Sequence, residues 1–315
     1  MLRFIIRRLI ASISVLFIVS VVVFLALQLT PGDPAKVMLG TDATIEEVQA
    51  LRRQMGLDRP LPAQYVIWLG NVLTGDLGRS VRNKAPVMSL ILGRLPATVE
   101  LVVISLVIGL MIGFPAGILS AVRHRSWVDY GINLFAAAGI AIPSFWFGIL
   151  LISLFSVRLR WLPASGYVPF WEDPMRSLRH VMLPAITLGL YLSAYISRFL
   201  RADLLEVLHQ DYIRTARAKG LADRVVLMGH ALPNSLISLL TILGILVGSL
   251  LGGVVIVEQV FGWSGIGWLA VQAIFNRDYP LVQGVVLFSS LAFVLINLFV
   301  DMAYGVVDPR IRFSR

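Results

Sequence analysis

Six apolar stretches, each about as long as a bilayer is thick, restrict what this chain can fold into. They run approximately over 9–29, 98–122, 132–156, 182–200, 236–257 and 281–304. A hydrocarbon core of about 30 Å requires roughly 20 helical residues, and only helices or closed barrels satisfy every backbone polar group in lipid. The chain is 57% hydrophobic and 14% charged, whereas soluble domains carry about 25% charged residues. We therefore predict an all-α polytopic membrane protein with six spans.

The charge distribution predicts the orientation of these spans. A net charge of +9 would point to nucleic acid in a soluble protein, but basic loops also orient helices in a bilayer, and we expect no nucleic-acid partner. With the N-terminus inside, cytoplasmic loops hold 14 of the 27 cations and short exported loops hold five, namely Arg158, Arg160, Arg176, Arg179 and Arg277. Both termini are therefore expected in the cytoplasm.

These spans divide the chain into four regions. Residues 1–30 are the N-terminus and first span, whose apolar run of 21 residues is too long for the apolar core of a signal peptide. Residues 31–96 are a small extracytoplasmic segment, in which Thr44 to Glu47 have the spacing of a capping box and a second short helix is expected around 63–73. Residues 97–305 are the core with spans two to six, and 306–315 are a cytoplasmic tail.

Two features point to a pathway through the membrane without settling it. Small residues recur every four positions in the second and fifth spans, as Gly109, Gly113, Gly117 and as Gly244, Gly248, Gly252. Such stripes serve close helix packing within one chain, or they line a subunit seam or pore. Pro143 is expected to kink or break the third span. Our candidates for substrate contact are Ser144, Phe145, Trp146, Gly248 and Ser249.

Enzymatic motifs are missing from the sequence. There is no H-E-x-x-H pair and no G-x-S-x-G turn, and none of the three lysines follows a glycine, which excludes a G-x-x-x-x-G-K-[ST] phosphate loop. We therefore expect no catalytic residue, no metal and no cofactor in this chain. Energy for transport would come from a partner or from an ion gradient. Ionisable residues are scarce near the span centres, which weakens an ion-coupled secondary transporter.

Residues 211–235, DYIRTARAKGLADRVVLMGHALPNS, form a basic segment between the fourth and fifth spans. We predict a helix over 211–222, with Asp211 at the positive end of its dipole, on the cytoplasmic surface. Such a helix either presents one face to a soluble partner or rests on anionic lipid headgroups. The residues alone leave both possibilities open.

The basic segment resembles the coupling motif of bacterial ABC-importer permeases, E-A-A-x₃-G-x₉-I-x-L-P. Arg214, Thr215 and Ala216 stand at the E-A-A positions, Gly220 at the glycine, His230 at the isoleucine, and Leu232 and Pro233 at the end. The form DYIRTARAKG is similar to that of dipeptide, oligopeptide and nickel permeases. Further similarities extend over the whole chain: FIIRRL, TPGDPA, GDLGRS, FGWSGIG, RDYPLVQG and DPRIR.

The resemblance implies a permease for di- or oligopeptides or a related small solute. It would pair with a second, homologous permease, two cytoplasmic ATPases that bind ATP and Mg²⁺, and an extracytoplasmic binding protein. The residues implied in ATPase coupling are Arg214, Thr215, Ala216, Arg217, Lys219, Gly220, Leu232 and Pro233. In this scheme Ala216 and Gly220 are small to allow close approach of the ATPase. The alternatives are an ion-coupled transporter without ATPases and a structural membrane protein that uses the segment only for docking.

Overall fold

The computed structural model describes residues 2–28, 44–54 and 58–307. Their regular structure is helical, and the helices are numbered here in chain order: α1 Leu2–Gln28, α2 Ile45–Gln54, α3 Leu61–Leu73, α4 Val87–Val122, α5 Trp127–Ala141, α6 Ser144–Leu151, α7 Pro174–Leu208, α8 Asp211–Ala218, α9 Asp223–Val226, α10 Leu232–Val260, α11 Ile266–Phe275 and α12 Tyr279–Val307. A π-helical turn, Ile152–Arg158, continues α6, and another, Leu227–Ala231, joins α9 to α10.

The long helices agree with the predicted all-α membrane fold. Within the described residues, four helical stretches are long and apolar enough to cross a membrane: Ile6–Ala26, Val87–Val122, Pro174–Leu208 and Tyr279–Val300. A bent pair, Trp127–Ala141 with Ser144–Arg158, supplies a fifth candidate. The stretch predicted as the fifth span falls within α10, whose 29 residues include several side chains outside the described set. The count of six spans stays a prediction.

The third predicted span is broken where the sequence indicated. The two halves of the bent pair meet at an angle of 101°, and Pro143, with a φ of −60°, is the N-cap of α6. Proline has no N–H to donate and its ring crowds the preceding turn. The kink expected at Pro143 is confirmed.

The chain forms two compact units. In the first, which comprises residues 1–5, 97–264 and 295–315, α7 is the best-buried helix, with 15 buried residues along its length. The glycines of α4 lie directly on it. A Cβ added at Gly113 would stand 2.7 Å from the Ser193 carbonyl oxygen, and one at Gly109 would stand 2.7 Å from Leu192 Cβ. This stripe therefore serves packing within the chain, the first of the two interpretations.

The fifth-span stripe also begins with an internal contact. A Cβ at Gly244 would stand 2.3 Å from Val300 Cγ1. On the other side of α7, a Cβ at Gly139 of α5 would stand 2.8 Å from Ala194 Cβ. Helices α4 and α5 thus both approach α7 closely at their own glycines.

The second unit comprises residues 6–96 and 265–294. Here the GDLGRS and RDYPLVQG sequences meet: the Ser80 hydroxyl donates to Asp278 Oδ2, and the Val81 N–H donates to Asp278 Oδ1 at 3.1 Å. A small apolar cluster lies below them, including Val87, Ile91, Ala273 and Leu281. The buried Asp278 carboxylate therefore holds a turn of the 75–86 loop against the start of α12.

The predicted extracytoplasmic segment, 31–96, is helical in its described part. The capping box is present: Thr44 N–H donates to Glu47 Oε2 at 2.9 Å, and Glu47 N–H donates to Thr44 Oγ1 at 3.3 Å. The bonds from Thr44 lower the pKa of the Glu47 carboxyl. Helix α4 starts at Val87, so the last ten residues of 31–96 already belong to the helix of the second span. The TPGDPA and DPRIR sequences lie outside the described residues.

Candidate coupling site

The basic segment folds as two short helices separated by a turn. Helix α8 ends at Ala218, four residues before the predicted end at 222, because the chain reverses at Gly220 with a φ of +81°. The Gly220 N–H donates to the Arg217 carbonyl at 2.9 Å, and the Leu221 N–H to the Ala216 carbonyl at 3.4 Å. Glycine is favoured immediately after a helix because it adopts the left-handed conformation without a Cβ clash.

One face of the segment packs against its own chain. Ile213, Ala216, Val226 and Ala231 form a buried cluster, and Val207 and Leu208 at the end of α7 pack against it. Only His209 and Gln210 separate α7 from α8. Ala216 is therefore small because it packs inside this cluster. The close approach to an ATPase that the resemblance implied for Ala216 is not needed to explain its size.

The solvent-exposed side of the basic segment carries both apolar and basic side chains. Tyr212, Leu221, Val225 and Met228 have 43%, 39%, 50% and 55% of their surface exposed. Val225 and Met228 are three positions apart in the helical stretch that begins at Asp223, so they lie on one side of it, and Leu221 shortly precedes this stretch. Around them lie the exposed side chains of Arg214, Arg217, Lys219 and Arg224. We call these eight residues the exposed face of the basic segment.

Three of the predicted coupling residues are held only by local contacts. Arg214 pairs with Asp211 at 3.5 Å, and Arg217 Nε pairs with Asp223 Oδ1 at 3.2 Å across the turn. The Thr215 hydroxyl donates to the Asp211 carbonyl at 3.0 Å. Exposed ion pairs contribute about 0–1 kcal/mol, so both arginines can exchange their partners at low cost.

Leu232 and Pro233 join the segment to α10. Leu232 is buried and Pro233 is exposed within the first turn of that helix. The π-helical turn Leu227–Ala231 comes directly before them. A proline ring clashes with the carbonyl four residues earlier in a regular α-helix, and a π-turn moves the carbonyl of Gly229 out of register. The Leu-Pro pair thereby fixes how the segment enters α10.

A buried ion-pair network at the same end of α7 was missed by sequence reasoning. The carboxylate of Asp129, 2% exposed, accepts from Arg201 Nε at 2.7 Å and from Arg201 Nη2 at 2.8 Å. It also accepts from the hydroxyl of Ser120 at 2.5 Å and from Asn133 Nδ2 at 2.7 Å. His124 Nδ1 lies 3.3 Å from the same carboxylate.

This network joins three helices at one point. Ser120 belongs to α4, Asp129 and Asn133 to α5, and Arg201 to the part of α7 that leads into the basic segment. The sequence carried one signal for it, the SWVD stretch, in which an N-cap serine stands three residues before an aspartate. In the structure Ser126 caps α5 and accepts from the Asp129 N–H at 3.3 Å. The partner, Arg201, is 72 residues away, which no local pattern reveals.

The five candidates for substrate contact do not line one common cavity. Ser144 lines a largely apolar cavity of about 190 Å³ at the break in the third span, together with Ile142, Phe147, Thr187 and Tyr191. Phe145 and Trp146 do not line it and are 44% and 48% exposed. Gly248 is buried in α10, and the side chain of Ser249 lies outside the described set. The structure does not bring the five candidates together.

Comparison with known proteins decides the family. Residues 113–313 match the family described as binding-protein-dependent transport system inner membrane component, and residues 1–102 match the N-terminal family of the same membrane components. The chain belongs to this family. The function predicted from the sequence, a permease component of an ABC importer, is thereby confirmed over the ion-coupled alternative. Such a permease works with an ATPase and with a binding protein.

Relatives of high sequence identity align with the permease over its full length. It is 44% identical over 314 residues to a protein of Brucella abortus (strain 2308) named as a peptide transport system permease, with 100% of both chains covered. It is 42% identical over 314 residues to the glutathione transport system permease protein GsiC of Escherichia coli (strain K12), again with 100% of both chains covered.

A solved structure shares the fold. The inward-facing MetNI methionine ABC transporter has a chain that superimposes with a TM-score of 0.58 at 19% identity, covering 70% of the permease and 97% of that chain. At this identity the likeness concerns the fold alone. It confirms the prediction of an all-α permease fold of ABC-importer type.

Proposed function

We propose that this permease carries short peptides, and that the exposed face of the basic segment docks on a cytoplasmic ATPase. The observation that supports the docking is the combination of four exposed apolar side chains with four exposed cations on a segment whose other face is anchored to α7. Closure of two ATPases on ATP would then be transmitted through the cluster of Ile213 and Ala216 to Val207 and Leu208.

The proposed complex has the following composition. A second, homologous permease completes the pathway, two ATPases bind ATP and Mg²⁺ on the cytoplasmic side, and an extracytoplasmic binding protein delivers the peptide. This chain binds no nucleotide and catalyses no reaction itself. Both of its termini are cytoplasmic in a bacterial inner membrane, in agreement with the bias of cations towards those loops.

The substrate class rests on the relatives. One is named for peptides and another for glutathione, which is itself a short peptide, so a short peptide is the chemistry that both names share. Part of the path is proposed at the cavity beside Ser144. Irregular backbone at membrane depth is tolerated where it is buried in protein or lines a watery cavity, and broken helices form binding sites in many transporters. Phe145, Trp146, Gly248 and Ser249 stay predictions for that path.

The decisive experiment is purification from native membranes in mild detergent, followed by mass spectrometry of the proteins that copurify. We expect a second permease and two ATPases, and ATP-dependent uptake of a labelled dipeptide or of glutathione after reconstitution with the binding protein. Met228→Asp should remove the ATPases from the complex, whereas Leu73→Asp, at a site 79% exposed in α3, should leave them bound. Ion-driven uptake by this chain alone, without ATP, would overturn the proposal.

A further inference from the structure

A basic cavity lies at the other end of α7, far from the basic segment. Its volume is about 350 Å³, and its lining includes Ser156, Arg160, Trp161, Arg176, Arg179 and His180. We call it the arginine pocket. Helix α7 has 35 residues and is therefore about 50 Å long, so the arginine pocket and the basic segment belong to opposite membrane surfaces.

The three arginines of the pocket form no ion pair with another described residue. Within the described part of the chain, no carboxylate forms an ion pair with Arg160, Arg176 or Arg179. The Asp173 carboxylate is nearby in sequence, but it caps α7 by accepting from the backbone N–H of Arg176 at 3.0 Å. Arg176 and Arg179 stand in the first turns of a long helix, where the dipole favours anions over cations. The arrangement leaves positive charge that a bound anion would neutralise.

Two further observations concern the wall of the pocket. The hydroxyl of Ser156 is buried and, among the described residues, has no hydrogen-bond partner, although buried polar groups normally have one. Arg160 is held at a φ of +56°, in the left-handed region that non-glycine residues rarely adopt. Strained backbone of this kind is found at ligand-binding positions more often than elsewhere. Both features are expected where an anionic oxygen is bound.

The surroundings of the pocket indicate where the anion comes from. Val157, Trp161 and Trp171 are 67%, 66% and 68% exposed, and they lie where the third span ends and before the fourth begins. Exposed tryptophans at span ends sit at the level of lipid headgroups. A soluble ligand would leave these apolar surfaces in water, whereas a phospholipid would cover them with its chains.

We propose that the arginine pocket binds the phosphate of an anionic phospholipid. The guanidinium groups would pair with the phosphate oxygens, the Ser156 hydroxyl would donate to one of them, and Trp161 and Val157 would contact the acyl chains. This assignment also explains a departure from the usual charge distribution, because three of the five cations on the short loops assigned to the exported side line this one pocket. It does not depend on the substrate or on the docking of the ATPases.

The test is a lipid titration on the delipidated, purified protein with whatever chains copurify, read by native mass spectrometry. Dioleoyl phosphatidylglycerol is the probe, with dioleoyl phosphatidylcholine and millimolar inorganic phosphate as comparisons. Arg176→Gln with Arg179→Gln should weaken phosphatidylglycerol binding about thirtyfold, the loss expected for two arginines at a lipid surface. The matched control, Arg158→Gln with Arg277→Gln, removes two other cations outside the pocket and should bind as the parent does.

Ser156→Ala provides an independent test that leaves every charge in place. It should weaken phosphatidylglycerol binding severalfold, since it deletes one hydrogen-bond donor to a charged acceptor. Unchanged binding in both the arginine pair and Ser156→Ala would overturn the proposal. So would displacement of the lipid by inorganic phosphate, which would indicate a site for free anions. If the arginine variant binds phosphatidylglycerol normally but no longer binds the extracytoplasmic binding protein, the pocket is a protein-docking surface and the lipid assignment is wrong.

Discussion

Gly220 adopts a conformation that other residues disfavour, and its surroundings are open. Its φ is +81°, and apart from its two chain neighbours no described residue has an atom within 4 Å of the position a Cβ would occupy. The surrounding atoms therefore give no steric reason for a glycine here, and the reason lies in the backbone conformation. An L-residue in this conformation costs about 1–2 kcal/mol, which would reopen the turn between α8 and α9.

Gly220→Ala should therefore lower peptide uptake severalfold while the protein still inserts in the membrane. Gly75 offers a matched control, because it has a φ of +87° and equally open space but lies in the loop after α3. Gly75→Ala carries the same backbone strain and should keep most uptake. Uptake of labelled dipeptide, normalised to the amount of permease in the membrane, measures both. Asparagine tolerates the left-handed region, so Gly220→Asn should recover part of the activity.

If Gly220→Ala and Gly75→Ala lose uptake equally, backbone strain alone explains the loss. The turn at Gly220 would then have no special role in coupling. Gly220→Trp adds bulk at the same position and should abolish uptake without preventing insertion. Normal uptake by that variant would contradict a role of Gly220 in coupling.

At the scale of helices, the ion pair between Asp129 and Arg201 holds α4, α5 and α7 together. Asp129→Asn leaves a buried guanidinium partly unpaired, and Arg201→Gln leaves a buried carboxylate. Breaking a buried pair typically costs 3–5 kcal/mol, and because Arg201 is 22% exposed we expect about 3 kcal/mol for each variant. Thermal unfolding of the purified permease measures the loss.

Arg198→Gln is the control for this pair. Arg198 lies one turn earlier on α7 and is exposed, so its replacement should change stability by less than about 0.5 kcal/mol. The double variant Asp129→Asn, Arg201→Gln should lose less stability than the sum of the two single losses. With both side chains replaced, neither an unpaired carboxylate nor an unpaired guanidinium is left. Additive losses would mean that the two side chains act independently.

The glycine stripe of α4 gives a second prediction for helix packing. Gly113→Ala places a methyl group against the Ser193 backbone, with 2.7 Å to its carbonyl oxygen and 2.9 Å to its Cα. Backbone atoms cannot move aside, so α4 and α7 must separate, at a cost of about 1–3 kcal/mol. Gly93→Ala in the same helix meets nothing within 4 Å and should stabilise the helix by up to about 1 kcal/mol. A higher melting temperature for Gly113→Ala would contradict the close packing.

For the whole molecule, the absence of cysteine allows the orientation to be measured directly. Met228→Cys, on the basic segment, should react with an impermeant maleimide only in inside-out vesicles from which bound ATPases have been removed. Leu73→Cys, in the segment predicted to be exported, should react only in intact cells or right-side-out vesicles. Labelling of both positions from the same side would mean that the predicted orientation is wrong.

Hydropathy and turn residues predicted much of this architecture, because lipid imposes helices and because Pro143 and the Thr44 capping box act locally. Helix α8 ends four residues before the predicted 222, because Gly220, with a φ of +81°, reverses the chain. The partner of Asp129 could not be found, since periodicity tells which residues share a face and not which helix that face meets. The same limit left the five candidates for substrate contact dispersed.

The attachment of α8 to the end of α7 has a mechanical consequence. From Pro184, the proline within α7, to Leu208 the helix measures about 37 Å. Glycines of α4 and α5 pack closely on α7, and the ion pair with Asp129 joins Arg201 to α5. A push on the basic segment therefore acts at the end of a stiff lever arm. Rotating that arm by about ten degrees would carry its tip roughly 6 Å, far more than the packed surfaces along it can absorb. We expect the pivot at Pro143, where the third span is broken, and at Pro184, which leaves one backbone hydrogen bond of the otherwise continuous α7 unmade.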